Sequence, residues 1–315
     1  MTQRWPSAVP HWSDPASDPA SDPASDSGTS RRDSAPDSGE RVQRPPLADS
    51  ELGLDDFRRY FPHTPTALCI KECARLSVIR RYPCPSPILD VGCGDGLFAR
   101  IAFDEAEVWG IDIDAAEGRW AAASQAYAQI VLGDVTRASL PQSFFRTCVA
   151  NCSLEHVPRI DLALKNIFNS LRPGGTAYLF VPNAEWASHL TSARLSTRVG
   201  LPALGKLIQS AIDRQFRHHH LYDADGWRRV VAGSGLQVVD VEPVLSSATT
   251  VAFEAFLLPS LAGLLNKKLT TRWTNFPPAR RLFAEPVFQA VKAIMDRADP
   301  TATAEFLVVA RRPEA

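Results

Sequence analysis

Three glycines at alternate positions, Gly92, Gly94 and Gly96, follow the short apolar run Ile88-Leu89-Asp90-Val91. Glycine lets a backbone turn sharply and approach a ligand closely, and a helix starting after the loop would offer its unpaired N–H groups to that ligand. Such a loop captures a nucleoside or a phosphate. The dinucleotide-binding spacing G-x-G-x-x-G would need glycine at position 97, where this chain has Leu97. The tighter spacing argues against a pyrophosphate and for a smaller cofactor. Asp112, about twenty residues further on, stands where a ribose-binding carboxylate belongs in an α/β sheet. Asp134 ends the next apolar run in the same way.

Histidines are the other chemically active group. His218-His219-His220 precedes Tyr222, and His156 lies upstream beside Glu155. Consecutive side chains in an extended segment alternate between faces, so at most His218 and His220 share a side. No further ligand is evident beside them. Cys69 and Cys73 lack the partner spacing of a zinc site. No metal site is expected, and His156, His219, His220 and Tyr222 are the candidate bases or acceptor contacts.

The elements that must position these groups are legible from periodicity. A short helix is expected at 55–61 and a longer one from Pro65 to about Arg81. Strands then follow at 88–91, 108–113, 130–132, 145–150 and 176–181. Helices fall between them at 97–102, 115–126 and 160–171, and Arg172-Pro173-Gly174-Gly175 reads as a turn. A helix at 224–234 and strands at 236–244 and 304–310 complete the pattern. Alternation of this kind gives a parallel sheet with helices on both faces. Two stretches, about 184–220 and 245–303, interrupt it and are where specificity would be built.

Composition bounds the rest. The first fifty residues repeat Ser-Asp-Pro-Ala from Ser13 onward and read as a disordered tail before a single domain at 51–315. With 34 basic and 35 acidic residues the chain carries a formal charge of −1, so no nucleic-acid partner is expected. No basic segment followed by an apolar run opens the sequence, and the six cysteines read as free thiols in a cytoplasmic protein.

The segment Ile88-Leu89-Asp90-Val91-Gly92-Cys93-Gly94-Asp95-Gly96 resembles the first motif of class I S-adenosylmethionine-dependent methyltransferases, in the small-molecule group of type 11 and type 23 domains. Gly110-Ile111-Asp112-Ile113-Asp114 resembles their second-strand motif and Gly133-Asp134-Val135 their third. Cys152-Ser153-Leu154-Glu155-His156-Val157 resembles the segment after their fourth strand, and Leu171-Arg172-Pro173-Gly174-Gly175 the turn before the fifth. The resemblance covers residues 88–182. It implies a three-layer Rossmann-like fold with a seven-stranded, mostly parallel sheet, an antiparallel last strand and helical insertions.

The same resemblance implies S-adenosylmethionine as cofactor. Asp90, Gly92, Gly94 and Gly96 would surround its methionine end, and Asp112 its ribose. Ile113, Asp134 and the backbone of Val135 would hold the adenine, and Asn151 would lie beside the sulfonium. The implied reaction is direct in-line methyl transfer, at oxygen, to a small or lipid-like acceptor. The alternatives are a non-catalytic binding protein of the same fold and an NAD-dependent oxidoreductase, the latter disfavoured by Leu97. Residues 251–273 combine Phe253, Phe256, Leu257, Leu258, Leu261, Leu264 and Leu265 with Lys267, Lys268, Arg272 and Trp273. That mix suits a helical lid or peripheral contact with a membrane surface.

Overall fold

Apolar residues in the strands serve two cores at once. In β1 (Ile88–Val91) the side chains of Leu89 and Val91 enter one hydrophobic cluster and Ile88 the other. In β5 (Leu171–Pro182), Ala177, Leu179 and Val181 alternate with Tyr178 and Phe180 in the same way. A strand buried on both faces needs a helical layer on each, which gives three layers. The structure, a computed structural model, describes residues 52–186, 190, 203, 218–296 and 303–314. The Ser/Asp/Pro repeat and most of the 184–220 insertion lie outside the described residues.

The sheet order is β3-β2-β1-β4-β5-β7-β6. β2 (Val108–Asp112), β3 (Gln129–Leu132) and β4 (Phe145–Asn151) run parallel to β1 and β5. β7 (Glu305–Arg311) is antiparallel to both β5 and β6 (Gln237–Pro243). This is the Rossmann-like methyltransferase topology. The strand order reverses at β1, so the loops leaving β1 and β4 diverge and open a crevice at their carboxyl ends.

One face is covered by α1 (Leu54–Tyr60), α2 (Thr66–Ile79), α3 (Leu97–Ala102) and the later helices Ser247–Ala255 and Ala284–Met295. Phe57 stacks on Phe61 and meets Phe288 edge-on at 5.4 Å, which joins the first helix to the last. The other face carries α5 (Ile160–Ser170) and the helix Ala224–Ala232, whose Trp227 donates to the Pro182 carbonyl at 2.9 Å. α4 (Ala115–Ser124) sits against the β2–β3 edge. The turn expected at 172–175 is instead a bulge inside β5. Phe145 pairs with Leu171 and Thr147 with Thr176, so four residues face Arg146 alone. Gly174, at φ +75°, supplies the left-handed backbone the bulge requires.

α2 is fixed to the sheet by charge rather than by apolar contact alone. Arg75 donates from Nε and Nη2 to the two carboxylate oxygens of Glu305, each at 2.8 Å, and from Nη1 to Glu72 at 2.8 Å and Asn151 at 3.2 Å. Lys71 adds a 2.6 Å contact to Glu305. Burial alone would raise the Glu305 carboxyl, but Arg75 and Lys71 hold it down at about 2. Removing one partner of such a buried pair strands the other charge. Glu305→Gln is therefore expected to cost about 3–5 kcal/mol in urea unfolding at pH 7. Because the folded-state value is depressed, the stabilisation Glu305 provides is present above the ordinary carboxylate range and lost as pH falls toward 2. The E305Q variant should lack that part of the acid-induced loss, and an unchanged pH–stability curve would contradict it.

Candidate active site

The glycines divide their work. A Cβ on Gly92 would lie 2.3 Å from Ser153 Cβ, and one on Gly96 2.6 Å from Ser124 Oγ and 2.8 Å from Tyr127. These two let the β4 loop and α4 close on the β1 loop. Gly94 (φ +53°) and Gly133 face open space, with nothing within 4 Å of an added Cβ. Their backbones border room for a ligand.

Asp112 is held ready at the end of β2. Its Oδ2 accepts from Gly94 N and its Oδ1 from Asp114 N, both at 2.8 Å. The α4 cap is supplied by Asp114, which accepts from Ala116 N and Glu117 N, so Asp112 is released from that duty. Asp134 accepts from Thr136 N at 2.8 Å. Gly92, Asp112, Ile113, Asp134 and Val135 line one cavity of about 360 Å³, with Ile113 presenting 75% of its surface. The cavity therefore has an oriented carboxylate, a second acceptor and apolar walls, which suits a nucleoside.

A second opening of about 310 Å³ continues from Gly92 past Gly94 to Asp90, Glu72 and Asn151. Asp90 is buried, and burial pushes its carboxyl up to about 7 even though Tyr127 donates to it at 2.7 Å. The outer wall comes from elements remote in sequence. Tyr60 and Thr64 come from the first helical turn region, and Lys267 and Trp273 from the second insertion. Lys267 pairs with Glu117 of α4 and lies 4.1 Å over the Trp273 ring. The second insertion thus closes over this opening. The sequence expectations missed Tyr127, which stands in no motif, and placed Lys267 in a lid or at a membrane surface without linking it to this opening.

A third cavity, of about 200 Å³, adjoins the second through Glu72 and Asn151, which line both. It holds Lys71, Arg75 and Glu305 on one side and Glu155, His156 and His218 on another, with Leu68, Trp186 and Phe253 as apolar wall. Asn151 donates to Glu72 at 2.8 Å while accepting from Arg75, so its amide is fixed at the junction. Glu72, Arg75 and Lys71 were not singled out from the sequence. The available signal was a set of charges at 71, 72 and 75 within an otherwise apolar helical stripe.

Of the histidine run, the structure brings His218 to this cavity. His219 N and His220 N both donate to the Glu155 carbonyl, at 2.8 and 3.2 Å, which pins the run against the 3₁₀ turn Leu154–His156. His219 points its exposed side chain elsewhere, and His219, His220 and Tyr222 line none of the three cavities. His220 is engaged at both ring nitrogens: Nε2 donates to the Val157 carbonyl, and Nδ1 takes the Tyr222 hydroxyl, each at 3.0 Å. Both contacts tie the ring to the loop. His156 lines both the first and third cavities and stacks on His218 at 5.3 Å. Burial, with His156 and Lys71 nearby, holds His218 down at about 4, and burial pushes Glu155 up to about 7.

Residues 60–241 match the family described as Methyltransferase domain, of type 23, and the chain belongs to that family. An uncharacterized methyltransferase of Mycobacterium tuberculosis and one of Mycobacterium bovis are each 40% identical to it over 114 residues, or 33% of this chain and 57% of the relative. The chain thus spans a little over half the length of these relatives. The crystal structure of an S-adenosylmethionine-dependent methyltransferase from Mesorhizobium loti is similar at 18% identity and TM-score 0.46, covering 82% of this chain and 100% of that one.

The glycine geometry is directly testable by denaturation of single variants. Gly94→Ala should cost only about 1 kcal/mol, the strain of a left-handed alanine. Gly92→Ala, which drives its methyl into Ser153, should cost clearly more. Equal losses would contradict the close packing at Gly92.

Proposed function

We propose that this chain is an S-adenosylmethionine-dependent methyltransferase acting at oxygen on a small acceptor with a polar head and a lipid-like body. The observation that carries the reading is the pair Asn151 and Glu72, which border both the opening beside Asp90 and the separate 200 Å³ cavity. When bound, the cofactor supplies an activated methyl group. Asp112 would accept from the ribose hydroxyls, and Ile113, Asp134 and Val135 would bound the adenine. Asp90, Gly92 and Gly94 would hold the methionine end, with Gly96 acting through loop closure. The open space at Gly94 and Gly133 and the pre-oriented Asp112 support this fit.

The protein's part in such a transfer is mainly to orient and to exclude water. Asn151, clamped by Arg75 and Glu72, fixes the wall between donor and acceptor. The acceptor's reacting oxygen would face Glu155, His156 and His218, and its body would run along Leu68 and Phe253.

The lipid-like part rests on the second insertion. Leu258, Leu265 and Leu269 fall on one face of the helix Leu257–Thr270, and with Phe276, Leu282 and Phe283 each is at least 60% exposed. Lys268, Arg272 and Arg281 lie close by in sequence, a combination suited to an anionic membrane surface. Among the described residues no single helix is long and apolar enough to cross a membrane, although the bent pair Ser247–Ala255 and Leu257–Thr270 together has the length and composition.

Incubating the full chain with methyl-labelled cofactor and separate polar and lipid extracts tests the reaction. Label is expected in the lipid extract. Label confined to the polar extract would overturn the lipid-like body, and none in either would overturn the activity. Asp112→Ala should weaken cofactor binding at least tenfold, and unchanged affinity would remove the ribose assignment. Asp90 is neutral below about pH 7, so cofactor affinity should rise with pH through 7 and fall roughly tenfold per unit below it. A flat profile from pH 5.5 to 8 would contradict Asp90 as a charged partner. Vesicles containing anionic phospholipid should bind the protein and release the L258S/L265S/L269S variant.

A further inference from the structure

We propose that Glu155, His156 and His218 form a binding site for a divalent transition-metal ion at the wall of the 200 Å³ cavity. The inference rests on reading that cavity as the acceptor's, but the site is built from this chain's side chains alone. One ligand atom from each of the three residues lies within 4.8 Å of the others. Two imidazoles and a carboxylate are the donor set that zinc, cobalt and similar ions take in sites that keep open positions. An ion about 2.1 Å from each donor needs them roughly 3.4 Å apart, so small side-chain rotations would complete the site.

Two further observations point to a cation. Glu155 is 2% exposed, yet its Oε2 has no hydrogen-bond partner among the described residues. The His156 Nε2 to Glu155 Oε1 separation of 3.7 Å is too long for a hydrogen bond, so that contact does not tie the ring to the carboxylate. The fixed cations of the cavity are engaged elsewhere, Lys71 by Glu305 and Arg75 by Glu305 and Glu72. Among the described residues, Glu72, Glu155 and Glu305 share this wall with Lys71 and Arg75. A cation held there would give the buried, unpartnered Oε2 a partner.

The fold holds the donors on two segments tied by backbone bonds, since His219 N and His220 N both donate to the Glu155 carbonyl. Three protein ligands leave coordination positions open toward the cavity. A hydroxyl, phenol or carboxylate oxygen of the acceptor would occupy one of them. The ion would lower the pKa of a bound hydroxyl, whose proton leaves to solvent, and no side-chain base is then required.

Cobalt(II) added to the full chain, without cofactor or acceptor, reads the site by visible absorption. One ion per chain with a ligand-field band is expected, and zinc should displace it. Glu155→Gln and His218→Ala should each weaken cobalt binding at least tenfold, while His219→Ala, one residue away and outside the cavity, should not. Thermal unfolding of each variant, and calorimetry of its S-adenosylmethionine binding, confirm that it is folded. No band, or a band that survives both Glu155→Gln and His218→Ala, would overturn the site. Cofactor binding with no cobalt band would overturn the metal proposal alone and leave the methyltransferase reading intact.

Discussion

Arg75 is a guanidinium almost wholly removed from water, and a guanidinium cannot discharge itself by losing its proton. The chain must therefore bring acceptors to it. Glu305 arrives from the start of the last strand, Glu72 from one turn back on α2, and Asn151 from the tip of β4. Meeting that requirement sets where α2 crosses the sheet and how β7 enters it. It also fixes the amide of Asn151, and with it the wall shared by the two cavities. A buried cluster of this kind adds little net stability over an apolar core, but it tolerates few alternative arrangements.

Around that cluster the crevice is built from short-range rules. Gly92 and Gly96 let neighbouring segments close, while Gly94 and Gly133 leave room above the backbone. Asp114 caps α4 and so leaves Asp112 to hold the loop and face the cavity. The Asp112 and Asp114 contacts lie within about twenty positions of the loop, and glycines in short motifs mark the longer-range approaches to Ser153, Ser124 and Tyr127. That is why β1 to β5 and the residues lining the crevice at their ends were legible in the sequence. Even there the bulge at 172–175 looked like a turn, because Pro173-Gly174-Gly175 carries the same local chemistry in either setting.

The third cavity was much less legible, for physical reasons. Lys71, Glu72 and Arg75 sit in a stripe that apolar residues usually fill, and only their partners across 76 to 234 positions explain their place there. Tyr127 and Lys267 belong to no motif and reach the crevice through tertiary contacts. The histidine run was recognised, but alternation alone could not say which ring turns inward. The two backbone bonds to Glu155 decide that His218 meets the cavity, and the Val157 carbonyl and Tyr222 hydroxyl occupy His220.

The crevice at the β1 switch point is the feature that gives the fold its use, and its claim is selectivity for a sulfonium nucleoside over a dinucleotide. Calorimetric titration of the full chain with S-adenosylmethionine, its demethylated product and NAD measures this without reference to any acceptor. The expected result is saturable binding of both sulfur compounds, one per chain, and no heat with NAD. Binding of NAD, or no binding of either sulfur compound, would contradict it.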